Sequence, residues 1–328
     1  MEESKEQKPE SHEHKHEHNV HHEHKEEKKP MFHKLRHDVR EFYRKDYKKL
    51  MILPVLMLLI GIGIILFTYA TTGDYLYKSV SLKGGLIISI STDKIVDLNS
   101  IQKDIASDFP GKDITIRTST VSGQLTGYAI EADLTDKEQV NSFISFLEQE
   151  FGITKENFTI EEIGSSLGAS FFKETTMLLM LSFLFMAIVV FLFFRNPVIS
   201  GAVILSAVSD IIITIAVLDI MKFKVGTAGI AALLMLISYS VDTDVLLSTR
   251  VLRRKNQSIF EAVLSSVNTG LTMLLATLAA VTIGLIFSQA PVLKEIMLIV
   301  FIGLIIDIFN TYIQNVGIIR WYLKDDHK

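Results

Sequence analysis

Four aspartates stand where apolar surroundings make a carboxyl group costly to keep: Asp210, Asp242, Asp244 and Asp307. Insertion scales put an ionisable residue at the centre of a membrane-spanning helix at about 2.5 to 3.5 kcal/mol unfavourable, so such groups usually face a bundle interior. The chemistry open to a carboxyl there is uptake and release of a proton. Asp242 and Asp244 lie in Ile237-Ser-Tyr-Ser-Val-Asp-Thr-Asp-Val-Leu-Leu-Ser-Thr-Arg250, directly after the run Val225 to Leu236, which is apolar except for Thr227. Asp210 sits between Ser206 and Thr214, one helical turn to either side, so a polar stripe runs along one face. Asp210, Asp242, Asp244 and Asp307 therefore form a candidate proton relay, with Ser206, Thr214, Tyr239 and Arg250 as supporting polar or charged groups.

Each carboxylate also has a structural reading. Asp210 falls roughly 20 Å into the bilayer from the cytoplasmic end at 1.5 Å per residue, and a relay role is favoured over plain hydrogen bonding. Asp242 and Asp244 fall roughly 26 and 29 Å from the outer start of their helix, close to the cytoplasmic boundary. There they can be helix-end carboxylates wetted by the cytoplasm or paired with Arg250; at Asp244 that reading takes precedence. Asp307 reaches a depth similar to Asp242 on the last span, where a packing hydrogen bond with Asn310 or Thr311 is the alternative. By these depths Asp210 and Asp242 lie more than about 10 Å apart along the membrane normal. A proton path between them needs Tyr239, Ser240 or trapped water. Gly226, Ala228, Gly229, Ala231 and Ala232 permit close helix approach, and no further role is assigned to them.

The elements that must hold these groups follow from composition. Of 328 residues 48% are hydrophobic, and apolar windows of about 20 residues recur, which excludes an ordinary soluble domain. There is no cysteine, so neither a disulfide framework nor a thiolate metal site is available. Residues 1–30 are rich in His, Glu and Lys and read as a disordered cytoplasmic tail. Seven histidines between His12 and His24 could bind zinc or nickel, but no fixed spacing selects a geometry, and a solvated terminus is preferred. Residues 31–49 read as a basic juxtamembrane helix and 50–70 as the first span, which the positive-inside rule enters from the cytoplasm.

Residues 71–173 read as an external domain. Leu86 to Ser91 is a strand, followed by a helix from Ser100 to Phe109 with Asn99 and Gln102 at capping-box spacing. Ile114 and Ile116 open a hairpin whose turn is Ser122 to Gly127. Thr135 and Glu138 start a second helix with Val140, Phe143, Ile144, Leu147 and Phe151 on one stripe, and Asn157 to Ile163 is a last strand. Strand, helix, strand, strand, helix, strand is the split βαβ, ferredoxin-like order. No metal-ligand cluster or nucleophile-base pair falls there.

Residues 174–322 hold five further spans, near 175–194, 198–218, 225–247, 271–287 and 292–316, with a cytoplasmic interfacial helix at 256–269 and a tail at 323–328. Ser258 and Glu261 have capping-box spacing, and Pro197 and Pro291 suit first-turn positions. The fold class is thus a polytopic α-helical membrane protein of six transmembrane helices with a ferredoxin-like α+β domain between the first two. Arg195, Arg250, Arg253, Arg254, Lys255 and Arg320 fall on the side of both termini, so the chain is expected to be multi-pass in the plasma membrane with both termini cytoplasmic.

A soluble domain between spans one and two, then five closely connected spans, resembles half of a resistance-nodulation-division transporter. The resemblance sharpens at Tyr239 to Arg250, at Ser209-Asp-Ile-Ile-Ile-Thr214, and at Asp307-Ile-Phe-Asn-Thr-Tyr-Ile-Gln-Asn-Val-Gly-Ile-Ile-Arg-Trp-Tyr322. Together these are similar to the SecF family of protein-export membrane proteins in its archaeal form, over about Leu50 to Tyr322. A departure is Ser81-Leu-Lys-Gly-Gly85, where that family usually has an Asp-Phe pair before the glycines. The resemblance implies an accessory subunit, not an enzyme, that pairs with a SecD-like subunit beside the Sec translocation channel and acts on secreted polypeptides. It implies the proton motive force as energy source and no cofactor, metal or nucleic acid. The rivals are a small-molecule or lipid exporter, for which the external domain leaves little room, and a non-energised scaffold.

Overall fold

The computed structural model describes residues 46–121, 124–152, 157–254, 257–288 and 290–323. The expected tail at 1–30, nearly all of the basic helix at 31–49 and the tail beyond Leu323 lie outside the described residues. A helical turn, Tyr47–Leu50, leads into α1, Ile52–Thr72. Helix α1 ends at Gly73, whose φ of 80° is the left-handed conformation of a helix stop.

The sheet domain contains β1 (Gly85–Ser91), α2 (Leu98–Asp108), β2 (Ile114–Val121), β3 (Gln124–Ala132), α3 (Lys137–Phe151) and β4 (Phe158–Ile163). The strands are antiparallel in the order β2-β3-β1-β4, with Ile88 facing Ile130 on one side and Ile160 on the other. Alternate residues of β1, namely Leu86, Ile88 and Ile90, are buried and pack with Ile101 and Ile105 of α2 and Phe143, Leu147 and Phe151 of α3. Both helix starts differ from expectation. Asp97 accepts from the Asn99 amide at 3.0 Å and Asp136 from the Glu138 amide at 3.3 Å, so the caps are aspartates, not Asn99 and Thr135. A carboxylate there also favours the positive end of the helix dipole. The hairpin turn is shorter than expected, since Gln124 to Gly127 already belong to β3. Gly127 is needed within that strand because a Cβ would run into the Ile90 carbonyl.

The helical part comprises α4 (Ser165–Phe194), α5 (Pro197–Ile220), α6 (Thr227–Leu252), α7 (Ile259–Phe287) and α8 (Pro291–Phe309). A π-helical turn, Asn310–Asn315, joins α8 to α9, Val316–Tyr322. Among the described residues five helices are long and apolar enough to cross a membrane: Tyr47–Thr72, α4, α5, α6 and α7. Helix α8 carries Lys294, Glu295 and Asp307 and runs on through the π turn. Helix α4 starts at Ser165, well before residue 174, so its first turns stand at the sheet domain. The interfacial helix expected at 256–269 is the first part of α7, because no breaker interrupts the apolar pattern. Gly270 marks a close approach instead, as a Cβ there would strike the Tyr312 side chain. The capping box at Ser258 and Glu261 is present, with amide bonds of 3.2 and 3.3 Å. Pro197 and Pro291 are each the first residue of their helices. Helix α5 is the central one: 67% of its apolar window is buried, against 11% for α1 and α4.

Candidate functional site

Three carboxylates from three helices meet at the centre of the bundle. Asp210 of α5, Asp244 of α6 and Asp307 of α8 are each fully buried. Asp210 accepts from the Ser240 hydroxyl and, at 2.7 Å, from the Asn310 amide. Asp307 accepts from Thr311 at 2.8 Å and from Thr243 at 3.2 Å. Asp244 accepts from the Asn315 amide at 2.6 Å through Oδ1, while its Oδ2 has no hydrogen-bond partner among the described residues. These donors are all neutral amides and hydroxyls, and the hydroxyls can rotate and exchange donor and acceptor roles.

Helical period explains the convergence. On α5, Ser206, Asp210 and Thr214 are four apart and fully buried, as the stripe required. On α6, Ser240, Asp244 and Ser248 repeat the same spacing on the buried face. Beyond α8, the π turn fits an additional residue into the helical path, and Asn310, Thr311, Gln314 and Asn315 are all buried. Gln314 donates to the Ser209 hydroxyl at 3.3 Å, adding a second tie between that turn and α5.

The expected site residues divide. Asp210, Asp244 and Asp307 come together. Asp242 is exposed, since two residues from either Ser240 or Asp244 is about 200° around a helix. The preference at Asp244 is overturned: α6 continues to Leu252, which draws Asp244 inside the bundle instead of leaving it at a wetted end. The separation expected between Asp210 and the Asp242 region is overturned too, because Ser240 bonds Asp210 directly. Arg250 pairs with neither acid and donates to the Ser265 carbonyl at 3.1 Å and Thr269 at 2.8 Å on α7. Tyr239 packs against the apolar cluster around Leu236 and Val300. Ser206 and Thr214 are buried, with hydroxyls that have no bond among the described residues. Asn315, Thr243, Gln314 and Ser209 were not foreseen; their signal is an amide or hydroxyl spaced three or four residues along an apolar helix.

At the other end of the bundle the sheet domain is tied down by polar contacts. The amide of Val225 bonds the Tyr77 carbonyl at 2.8 Å and the Ser79 amide bonds the Val225 carbonyl at 2.9 Å. Lys224 donates to Asp113 and Thr115 of the sheet domain, and Lys294 to the Thr120 carbonyl at 3.0 Å. Lys83 bonds Asp113 at 2.9 Å and Asp133 at 3.3 Å. Burial pushes the Asp113 carboxyl up, but hydrogen bonds from Lys224 and Lys83 outweigh it and hold the group below the usual carboxylate range. For Lys83, burial pulls the ammonium down and Asp113 and Asp133 outweigh that, leaving it above the usual lysine value.

The family model for the C-terminal part of the protein-export membrane proteins SecD and SecF matches residues 144–325. The chain is 35% identical over 288 residues to the protein-export membrane protein SecF of Methanocaldococcus jannaschii, covering 86% of this chain and 97% of that one. It is 37% identical over 278 residues to SecF of Pyrococcus furiosus, covering 85% and 92%. In fold it is similar to the crystal structure of SecDF, a translocon-associated membrane protein from Thermus thermophilus, with a TM-score of 0.67 and 18% identity. That likeness covers 84% of this chain and 38% of the SecDF chain, so this chain spans well under half of it.

Proposed function

The chain belongs to the SecD/SecF family of protein-export membrane proteins, and from that premise we propose that it serves the Sec apparatus as a SecF-type subunit coupled to the proton gradient. In this reading it pairs with a SecD-like subunit beside the translocation channel and promotes the passage of secreted polypeptides. The chain crosses the plasma membrane six times, α8 with its π turn being the sixth span, and both termini are cytoplasmic. The sheet domain is external and of split βαβ type, a reading supported by its strand order.

The observation that carries the proposal is the meeting of Asp210, Asp244 and Asp307, fully buried among neutral hydrogen-bond donors. A proton arriving on Asp210 turns one carboxylate oxygen from acceptor into donor. Either the Ser240 hydroxyl then reverses its role or the Asn310 amide loses its acceptor. Protonation thus alters the attachment of α5 to α6 or to the π turn, and a change of charge becomes a change of helix contact. A membrane potential supplies about 2.3 kcal/mol per elementary charge per 100 mV, so one or two protons per cycle can move an element held by a few hydrogen bonds. Export measured in cells carrying Asp210→Asn tests this: export falls about tenfold with the subunit at normal abundance. Unchanged export at normal abundance removes the proton-coupling reading.

A further inference from the structure

The first amides of α6 are capped by side chains from elsewhere. The helix starts after Gly226, which has no side chain to cap it. Glu295 of α8 accepts from the Gly226 amide at 2.6 Å, and Ser81, in the helical turn Val80–Lys83 that leads into β1, accepts from the Thr227 amide at 3.1 Å. The surroundings are shaped for this contact. A Cβ on Gly229 would collide with the Glu295 carboxylate, and one on Gly226 would lie 2.8 Å from the Ser81 hydroxyl and 3.0 Å from that of Ser79. The absence of side chains at these two positions is therefore more than a means of close helix packing. A carboxylate at a helix start satisfies an orphan amide and meets the positive end of the helix dipole. Lys294 beside it is held by the Thr120 carbonyl, and Arg117 and Glu131 of the sheet domain lie within electrostatic reach of Glu295.

Along α8, Glu295 stands about 18 Å from Asp307 at the helical rise. Helix α6 carries Ser240, Thr243 and Asp244; α8 and its π turn carry Asp307, Asn310, Thr311 and Asn315. The groups that α6 and α8 bring to Asp210 of α5 thus hang from the point where Glu295 meets Gly226. We propose that Glu295 is a positioning residue whose carboxylate caps α6 from α8, fixing the register of the two helices and tying both to the helical turn Val80–Lys83, which leads into β1 and whose Lys83 bonds Asp113 and Asp133. In functional terms this rests on the proton-coupling reading: the cap is where movement of the sheet domain reaches the carboxylates.

The test uses the full chain with its partner subunit in lipid nanodiscs and reads amide hydrogen exchange over 226–230, beside export in cells. Glu295→Met, which keeps the length and removes the acceptor, speeds that exchange about fivefold to tenfold, the size expected for a lost cap. It also lowers export at least threefold. Glu295→Gln, which keeps an acceptor without charge, is intermediate in both. Adding Ser81→Asp to Glu295→Met returns a carboxylate to the same helix start and restores protection and export together, a rescue that a misfolded variant does not give. Unchanged exchange in Glu295→Met, or no rescue by Ser81→Asp, overturns the proposal. Faster exchange with normal export, where Asp210→Asn lowers export, overturns it as well, because the cap is then purely local. If Asp210→Asn exports normally, the proton reading fails on its own and exchange with its rescue decides the cap.

Discussion

Asn310 on the π turn donates its amide to Asp210 on α5 over 2.7 Å, and Asn310 lies only three residues beyond Asp307. One short segment therefore holds an acid of its own and the acid of the central helix. Removing the amide leaves Asp210 buried with one donor fewer, at about 1 to 3 kcal/mol for a group left unsatisfied. Asn310→Leu is expected to lower the unfolding midpoint of the detergent-solubilised protein by several degrees and to reduce export. Asn310→Asp, which places two acids against each other, reduces export further, and a secretion assay with an immunoblot for abundance checks the order.

The two acids of the Asp242-Thr-Asp244 segment are expected to behave differently. Asp244→Asn cuts export about tenfold, while Asp242→Asn leaves it within about twofold, since a surface substitution away from a packed or paired group usually costs less than about 0.5 kcal/mol. Pulse-chase of one secreted protein in the two strains measures this.

The seam between sheet domain and bundle has a pH window. Asp113 sits below the usual carboxylate range, so its contribution is present above the unfolded value and is lost as pH falls through the folded one. Lys83 sits above the usual lysine value, so its contribution is full below the unfolded value and is lost as pH rises through the folded one. Docking is accordingly firm between the acid and alkaline limits and loosens at both. The side chain of Asp113 is 47% exposed, so the effect is small, about 1 kcal/mol or less, and weakens with salt. Hydrogen exchange in β2 at pH 3, 7 and 11, at low and high salt, detects it, and Asp113→Asn flattens the acid side.

Gly270 lets α7 approach the π turn so closely that a side chain there meets Tyr312. Gly270→Val is expected to destabilise by about 1 to 3 kcal/mol through overpacking, and more than Gly284→Val, whose Cβ would meet the flexible end of Met297. Thermal unfolding of both variants gives the comparison.

The alternation in β1 and the stripe on α3 were legible because burial imposes periods of two and 3.6 on the sequence. The Ser206, Asp210 and Thr214 face was legible for the same reason. The choice between Asp242 and Asp244 was written in the spacing Ser240, Asp244, Ser248, but an apolar run does not mark where its helix ends, and α6 passes Arg250 to reach Leu252. Arg250 illustrates the limit further, since its partners Ser265 and Thr269 belong to another helix. The π turn has no residue signature of its own, which hid the way Asn310 and Asn315 reach the acids. Local competition among cap residues accounts for the helix starts, where Asp97 and Asp136 prevailed over neighbours with suitable spacing.

In the proposed function the buried carboxylates carry the response to the proton gradient. The most direct measurement is export into membrane vesicles with and without an imposed proton gradient, comparing the natural chain with Asp210→Asn, Asp244→Asn and Asp307→Asn combined. The gradient is expected to stimulate export several-fold with the natural chain and to leave the triple variant unaffected, with both subunits present in equal amounts. Full gradient-dependent stimulation in the triple variant contradicts it.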